Sequence, residues 1–431
     1  MSELEQRISV EQVRVGLYIH LEDWMDHPFL FSSFKVRNEK QLQILRSLKM
    51  THVLYDPARS DQPPLPPPAA DALPLPPVAA PAVDPEMEAM WAAKQARREK
   101  LAAQREALGR CDKKFSAGVA TVQSLLRNLF SRSEESIRQA HTLVSEMVDS
   151  MLADKDVVLH LMNAKAGDES AYYHALNVTM LALILGREAK LDDWEMRALG
   201  LGALLHDLGK EKVPSQIRLK KTPWTTAERN FYQMHVAYGL EMLQQLPDVS
   251  AAALDVVAKH HELLDGSGFP GKLKGEQIGR LARIVCIANT FDNYCNPVNP
   301  AEAMTPAEAL SFMFKYEKGK FDPELMQLFV RCMGVYPPGS LVQLNNGQTG
   351  LVMSVNPGRL LQPSLLIYDP DVPKEEALWL DLSEASQLSV VKTLRPQELC
   401  KAVLDYLDPR TRISYFTDSG SVPLRAAPDV R

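Results

Sequence analysis

The sequence predicts a mainly α protein, with a helical core between a small α+β module at the N-terminus and a small β-rich module at the C-terminus. Three features carry that expectation. Apolar runs of helical length, HALNVTMLALILG and ALGLGALLHDLGK, lie mid-chain; a proline-rich stretch precedes them; strand-like runs around an Asn-Gly turn follow. At 431 residues the chain exceeds the size at which single cores stop growing, so several domains are expected.

Residues 1–62 form the first module, with β-like VGLYIH and HVLYD around a helical stretch at Glu39–Leu48. Ten of the thirty prolines fall between Pro63 and Pro85, which marks 63–85 as an extended linker. From about Glu86 to Leu161 the composition favours helix, with a break near Ser131–Ser133. Residues 86–144 are expected to be a helical connector, possible coiled coil and homodimer contact included, and the basic run Lys94–Arg105 is a solvated helix face. Residues 145–336 form the core domain. Residues 337–431 form the C-terminal module, where SLVQL, Asn345-Asn346-Gly347 and TGLVMSV predict a hairpin, SLLIYD a further strand, and the end a flexible tail.

A 45% hydrophobic and 24% charged composition fits ordinary folded cores, and a net charge of −6 offers no broad positive field for nucleic acid. Cys111, Cys286, Cys295, Cys332 and Cys400 are scattered and odd in number without a CxxC pair, which points to a reducing compartment. No signal-peptide pattern opens the chain, and the apolar stretch at 178–185 is too short to span a bilayer. A soluble, cytoplasmic protein is expected.

Five of the ten histidines fall between residues 174 and 261 of the core domain: His174, His206, His235, His260 and His261, with Asp207 directly after His206. His174 opens an apolar helix. His206 and Asp207 end a second, with Gly209 as its terminator. His235 lies within a third, announced by the capping box Thr225 to Glu228, and His260-His261 end a fourth that begins near Asp248. Adjacent helical residues point about 100° apart, so neither pair is a flat chelating face, but helix ends can still converge on ions. Imidazoles suit iron, manganese or zinc, and Asp207 is the natural bridge between two cations.

HDLGK at 206–210, His235 at its spacing, and HHELLDGSGFPG at 260–271 resemble the HD-GYP family of cyclic di-GMP phosphodiesterases, with LKKTPWTTAE, ARIVCIAN and FDPEL in further agreement. The segment at 8–56 is similar to an uncharacterised module found ahead of such domains. The resemblance implies an all-α HD-type helical bundle holding two divalent ions, iron or manganese, on His174, His206, Asp207, His235, His260, His261 and the position of Asn289. Asp207 and Lys210 would be catalytic, with Lys210 near the scissile phosphate. The turn with Asp265, Gly266, Gly268, Phe269 and Pro270 would meet substrate or partner, diguanylate cyclase (GGDEF) domains among the latter. The implied reaction opens cyclic di-GMP to linear pGpG and on to GMP, with water as nucleophile.

The chain departs from the family in four places. Phe269 replaces the name-giving tyrosine, which is expected to change partner contacts more than the fold. Asn289 replaces an aspartate ligand, with Asp292 one turn later as a substitute carboxylate. Asn293 to Pro297 replace a basic stretch that would meet nucleotide. Ser170 stands where some members offer a glutamate to a third metal, so two ions are expected. These departures keep a second reading open: a catalytically weakened signalling module that binds a nucleotide or a partner.

Overall fold

The computed structural model describes residues 6–21, 27–29, 33–48, 50–67, 85–128, 133–153, 158–162, 170–246, 248–355, 359–370, 372, 374, 377–385, 387–409 and 413–418. Most of the proline-rich segment and the tail from residue 419 lie outside them, so the linker and flexible-tail expectations fall there unaddressed. The chain folds as two compact units, Met1–Arg105 with Asp369–Leu378, and Glu106–Tyr368 with Trp379–Arg431.

In the first unit, strands β1 (Gln6–Ser9), β2 (Tyr18–His20), β3 (Ser33–Lys35) and β4 (His52–Asp56) form an antiparallel sheet in the order β1-β4-β2-β3. Helix α1 (Glu39–Ser47), capped by the Asn38 side chain, contributes Leu42, Ile44 and Leu45 to a core with Leu17, Ile19 and Val53. Alternation along Ile8, Ile19 and Val53 turns one sheet face to that core.

Helix α2 (Pro85–Asn128) begins in the first unit and ends in the second, and α3 (Ser133–Ala153) follows. Val158–Leu161 is strand β5 and not the end of a helix, which corrects the reading of helix as far as Leu161. Four residues of VLHL are too few to hold a helix against two strand partners. Leu159 pairs with Val355, and Leu161 with Tyr415.

The second unit continues with α4 (Ser170–Glu188), α5 (Asp193–Leu205), α6 (Ser215–Arg218), α7 (Thr226–Gln233), α8 (His235–Leu243), α9 (Ala251–Lys259), α10 (Arg280–Cys295), α11 (Pro306–Tyr316) and α12 (Pro323–Met333). Helix α4 is buried all round from Leu176 to Leu185 and apolar there except at Asn177 and Thr179, as suits the centre of a bundle. Strands β6 (Leu341–Leu344) and β7 (Thr349–Val355) form the hairpin, with Gly347 at φ +86° in its turn. Strands β8 (Ser364–Ile367), β9 (Leu378–Asp381), β10 (Val390–Leu394) and β11 (Tyr415–Asp418), with helix α13 (Lys401–Leu407), complete the fold. The sheet path is β10-β6-β7-β5-β11 with β8 on β7, so the C-terminal strands and β5 share one sheet. The described residues are mainly helical, as the sequence predicts.

Glycines set the helix spacing. A Cβ at Gly202 of α5 would lie 2.7 Å from Val256 Cβ of α9, and one at Gly200 would lie 2.6 Å from Val144 of α3. Gly202→Ala should therefore cost about 1–3 kcal/mol through overpacking. Gly109→Ala, with nothing within 4 Å of its Cβ, should be neutral or stabilise by about 0.5–1 kcal/mol. Urea unfolding of both variants tests this, and equal stabilities would refute the close-approach argument.

Candidate metal centre

Each predicted histidine reaches the site from the end of an element. His174 sits one turn into α4, and His206 caps the C-terminus of α5. His235 is the first residue of α8: the Thr225/Glu228 capping box starts α7, which closes at Met234, so His235 stands at a junction and not inside one helix. His260 caps α9, which begins at Ala251 with Ser250 as its cap, later than the expected start near Asp248. Gly209 also differs from expectation. It lies in a 3-10 turn, Leu208–Lys212, at negative φ, and its value is close approach: a Cβ there would strike the His235 carbonyl oxygen and the Gly239 amide.

The rings converge. Centroid separations are 5.2 Å for His174–His206, 4.9 Å for His206–His260, 5.2 Å for His235–His261 and 4.3 Å for His260–His261. Asp207 lies among them with its two oxygens divided. Its Oδ2 is 3.2 Å from His174 Nε2 and 3.3 Å from His206 Nε2; its Oδ1 is 3.5 Å from His235 Nε2 and 3.8 Å from His260 Nε2. The ligand atoms form two groups that share Asp207: His174 with His206, and His235 with His260 and His261.

Tautomer follows from the other ring nitrogen. Nδ1 of His206, His235 and His260 lies 2.6, 2.6 and 2.8 Å from the carbonyl oxygens of Ala203, Tyr232 and Val257, each three residues back. A carbonyl only accepts, so Nδ1 carries the hydrogen and Nε2 offers a lone pair. His174 Nδ1 donates in the same way to Asp292 Oδ2 at 2.5 Å. The Nε2 atoms of all five histidines are buried without a hydrogen-bond partner in the protein, an uncommon condition in a native interior and here concentrated in one cluster. This donor set fits divalent cations.

The remaining predicted residues divide. Lys210 Nζ pairs with Asp207 Oδ2 and lies 5.4 Å from the Tyr232 ring centroid. Asn289 is buried on α10, where its Oδ1 accepts from Asn293 Nδ2 at 2.8 Å. Asp292 is no substitute ligand: Oδ2 takes the His174 hydrogen, and Oδ1 takes Asn177 Nδ2 at 2.5 Å and Asn296 Nδ2 at 2.8 Å. Ser170 opens α4. In the turn, Asp265 Oδ1 accepts from the Ser267 amide, Gly266 has φ +82°, and Gly268 leaves no room for a Cβ against Leu263 N. Phe269 stacks on His261 with centroids 4.4 Å apart, so it walls the histidine cluster as well as preceding the exposed Pro270. Sequence reasoning missed Glu262, whose buried carboxylate accepts from Gly271 N and Leu273 N and so shapes this turn.

Residues 146–325 match the family model described as HD domain, and residues 5–155 match a domain of unknown function (DUF3391). A cyclic di-GMP phosphodiesterase of Pseudomonas aeruginosa is 31% identical over 401 residues, covering 91% of this chain and 92% of that protein. A cyclic di-GMP phosphodiesterase response regulator of Xanthomonas campestris pv. campestris is 30% identical over 217 residues, 48% of this chain and 57% of its own length. A solved HD-GYP-type protein from Bdellovibrio bacteriovorus aligns with 75% of this chain and 98% of its own, at a TM-score of 0.44 and 15% identity. The fold of this unit is that of an HD domain. The chain belongs to the HD-GYP family of HD-domain proteins.

Burial disfavours charge on every group here. It brings His235 down to about 4 and holds His260 and His261 well below the ordinary 6.5, with neighbouring imidazoles adding to the effect. Burial also opposes the Asp207 charge, but His206 and Lys210 outweigh it and hold the carboxyl well below its usual range. For His174, burial is outweighed by Asp292 and Asp207, and its value rises.

Below pH 6.5 the unfolded chain takes up protons that His235, His260 and His261 refuse when folded, so their contribution to stability falls as pH falls. His174 acts oppositely, contributing below 6.5 and losing that contribution as pH rises through its raised value. Three outweigh one. Metal-free protein should melt lower at pH 5 than at pH 7, with His235 alone accounting for about 2 kcal/mol. Thermal unfolding at the two pH values checks this, and His235→Gln should narrow the gap; equal melting temperatures would contradict neutral burial of the cluster.

Proposed function

We propose that this chain is a metal-dependent phosphodiesterase that opens cyclic di-GMP to linear pGpG and on to GMP. The observation that carries the reading is the division of Asp207 between two groups of buried imidazoles whose Nε2 lone pairs have no protein partner. The relatives in Pseudomonas and Xanthomonas, named for cyclic di-GMP, supply the substrate class.

His174 and His206 with one oxygen of Asp207, and His235, His260 and His261 with the other, would hold two divalent ions, iron or manganese. Such ions supply Lewis acidity toward a phosphoryl oxygen and bring a water within reach of deprotonation near neutral pH. The protein's share is positioning. The i−3 carbonyls and Asp292 keep the imidazoles in the ligating tautomer. Lys210, kept cationic by Asp207 despite burial, would offset the charge that develops on the phosphate. The turn from Asp265 to Pro270 offers an exposed rim for a partner such as a diguanylate cyclase domain, and helix α2 offers a route to a homodimer. No described helix is long and apolar enough to cross a membrane; the scattered free cysteines support a cytoplasmic location.

One observation favours the second reading, a weakened nucleotide-binding or partner-binding module: the Asn289 oxygen carries no charge and is already engaged by Asn293. Metal content and cyclic di-GMP turnover of purified protein decide between the two. Manganese-loaded protein should release pGpG, and Asp207→Ala should lose both metal and hydrolysis while remaining folded. A full metal complement in Asp207→Ala would overturn the bridging assignment, and metal-loaded wild type without turnover would establish the binding module. Asn289→Asp should raise metal affinity roughly tenfold by adding an anionic ligand; unchanged affinity, measured by calorimetry, would remove position 289 from the ligand set.

A further inference from the structure

The second oxygen of Asp292 leads away from the histidines toward the far end of the chain. Asp292 is 1% exposed, and its Oδ1 holds the side-chain amides of Asn177 and Asn296. Each asparagine also grips the backbone leading into β11. Asn177 Oδ1 accepts from the Tyr415 amide at 2.8 Å; Asn296 Oδ1 accepts from the Ile413 amide at 2.8 Å, and its Nδ2 donates to the Ile413 carbonyl at 2.8 Å. The main chain of Ile413 is thus paired in both directions by one side chain. Tyr415 is fully buried, its ring stacked 6.3 Å from Phe291, the neighbour of Asp292.

We infer that the segment from Ile413 to Tyr415 is a built part of the metal centre: Asn177 and Asn296 lock it to Asp292, and through Asp292 they position His174. The inference rests on the reading of His174 as a ligand. A buried carboxylate needs donors, and here two of them come from asparagines whose own orientation is set by the backbone of that segment. Without the segment both amides can turn, Asp292 loses its fixed direction, and the His174 ring loses the acceptor that holds its tautomer. Asn296 lies within Asn293 to Pro297, the stretch that replaces the family's basic residues, so this chain has put a structural clamp there. His174, Asn177 and Asn296 are positioning or ligand groups on one line, and the other imidazole group, around His235, is anchored independently by its own carbonyls.

Cobalt(II) titration of the full chain, followed by visible absorption and calorimetry, tests this without any turnover assay. Wild type should bind two equivalents. Asn296→Ala and Ile413→Pro, the latter removing the donor N–H from the clamp, should each weaken one equivalent by roughly 10- to 100-fold and leave the other and its spectrum unchanged. The double variant should be no weaker than either single one, because both cut the same link. Thr417→Val, on the same strand as Tyr415, removes a hydroxyl contact to Met180 of α4 and should bind as wild type does. Two equivalents held at full affinity in Asn296→Ala, additive losses in the double variant, or equal weakening by Thr417→Val would each overturn the clamp. Asn296→Ala decides alone if Ile413→Pro does not fold. Wild type that binds no cobalt would defeat the metal reading itself, a separate failure.

Discussion

Asp207 has only 14% of its side chain exposed, and a carboxylate so nearly withdrawn from water must be met by charge or hydrogen from within the protein. Four elements are arranged to meet it: α4, the end of α5, the α7–α8 junction and the end of α9 each deliver one imidazole, with His261 following from the last. The glycines at 202 and 209 let those elements come close enough. Removing a single arm would not simply subtract one imidazole; it would leave a buried anion facing fewer partners.

The residues of the cluster were readable because polar side chains at the ends of apolar helices have no place in a core unless they share a purpose. His206-Asp207 and His260-His261 announce themselves in this way. What surrounds them was hidden for a different reason. Asn177 stands in an otherwise apolar helical run and could have been noticed as a buried polar group in want of a partner, but its partners lie more than a hundred residues away in sequence. The same distance concealed Asp292. Helical spacing placed it on the side of Asn289, and spacing alone does not say that both its oxygens are already taken.

Local structure was misread where a short run could serve two periods. VLHL has the composition to prolong a helix and also to fill a sheet, and only the presence of β7 and β11 on either side settles it. Gly209 looked like a helix terminator because glycine after a helix usually is one. Its conformation is ordinary, and what it provides is absence of bulk. The capping box at Thr225 was read correctly as a helix start, yet the helix it starts is short and stops just before the histidine.

The anchoring carbonyls of Ala203 and Val257 belong to the last turns of α5 and α9, where main-chain oxygens otherwise have no partner within the helix. The imidazoles of His206 and His260 therefore finish the helices they cap, and that of His235 ties the start of α8 to the end of α7. Fraying of a single turn would release the ring hydrogen and the helix end in the same event, so ion occupancy and the order of these helix ends are two readings of one cooperative unit. Amide hydrogen exchange at those turns would then report on the ions as faithfully as on the backbone.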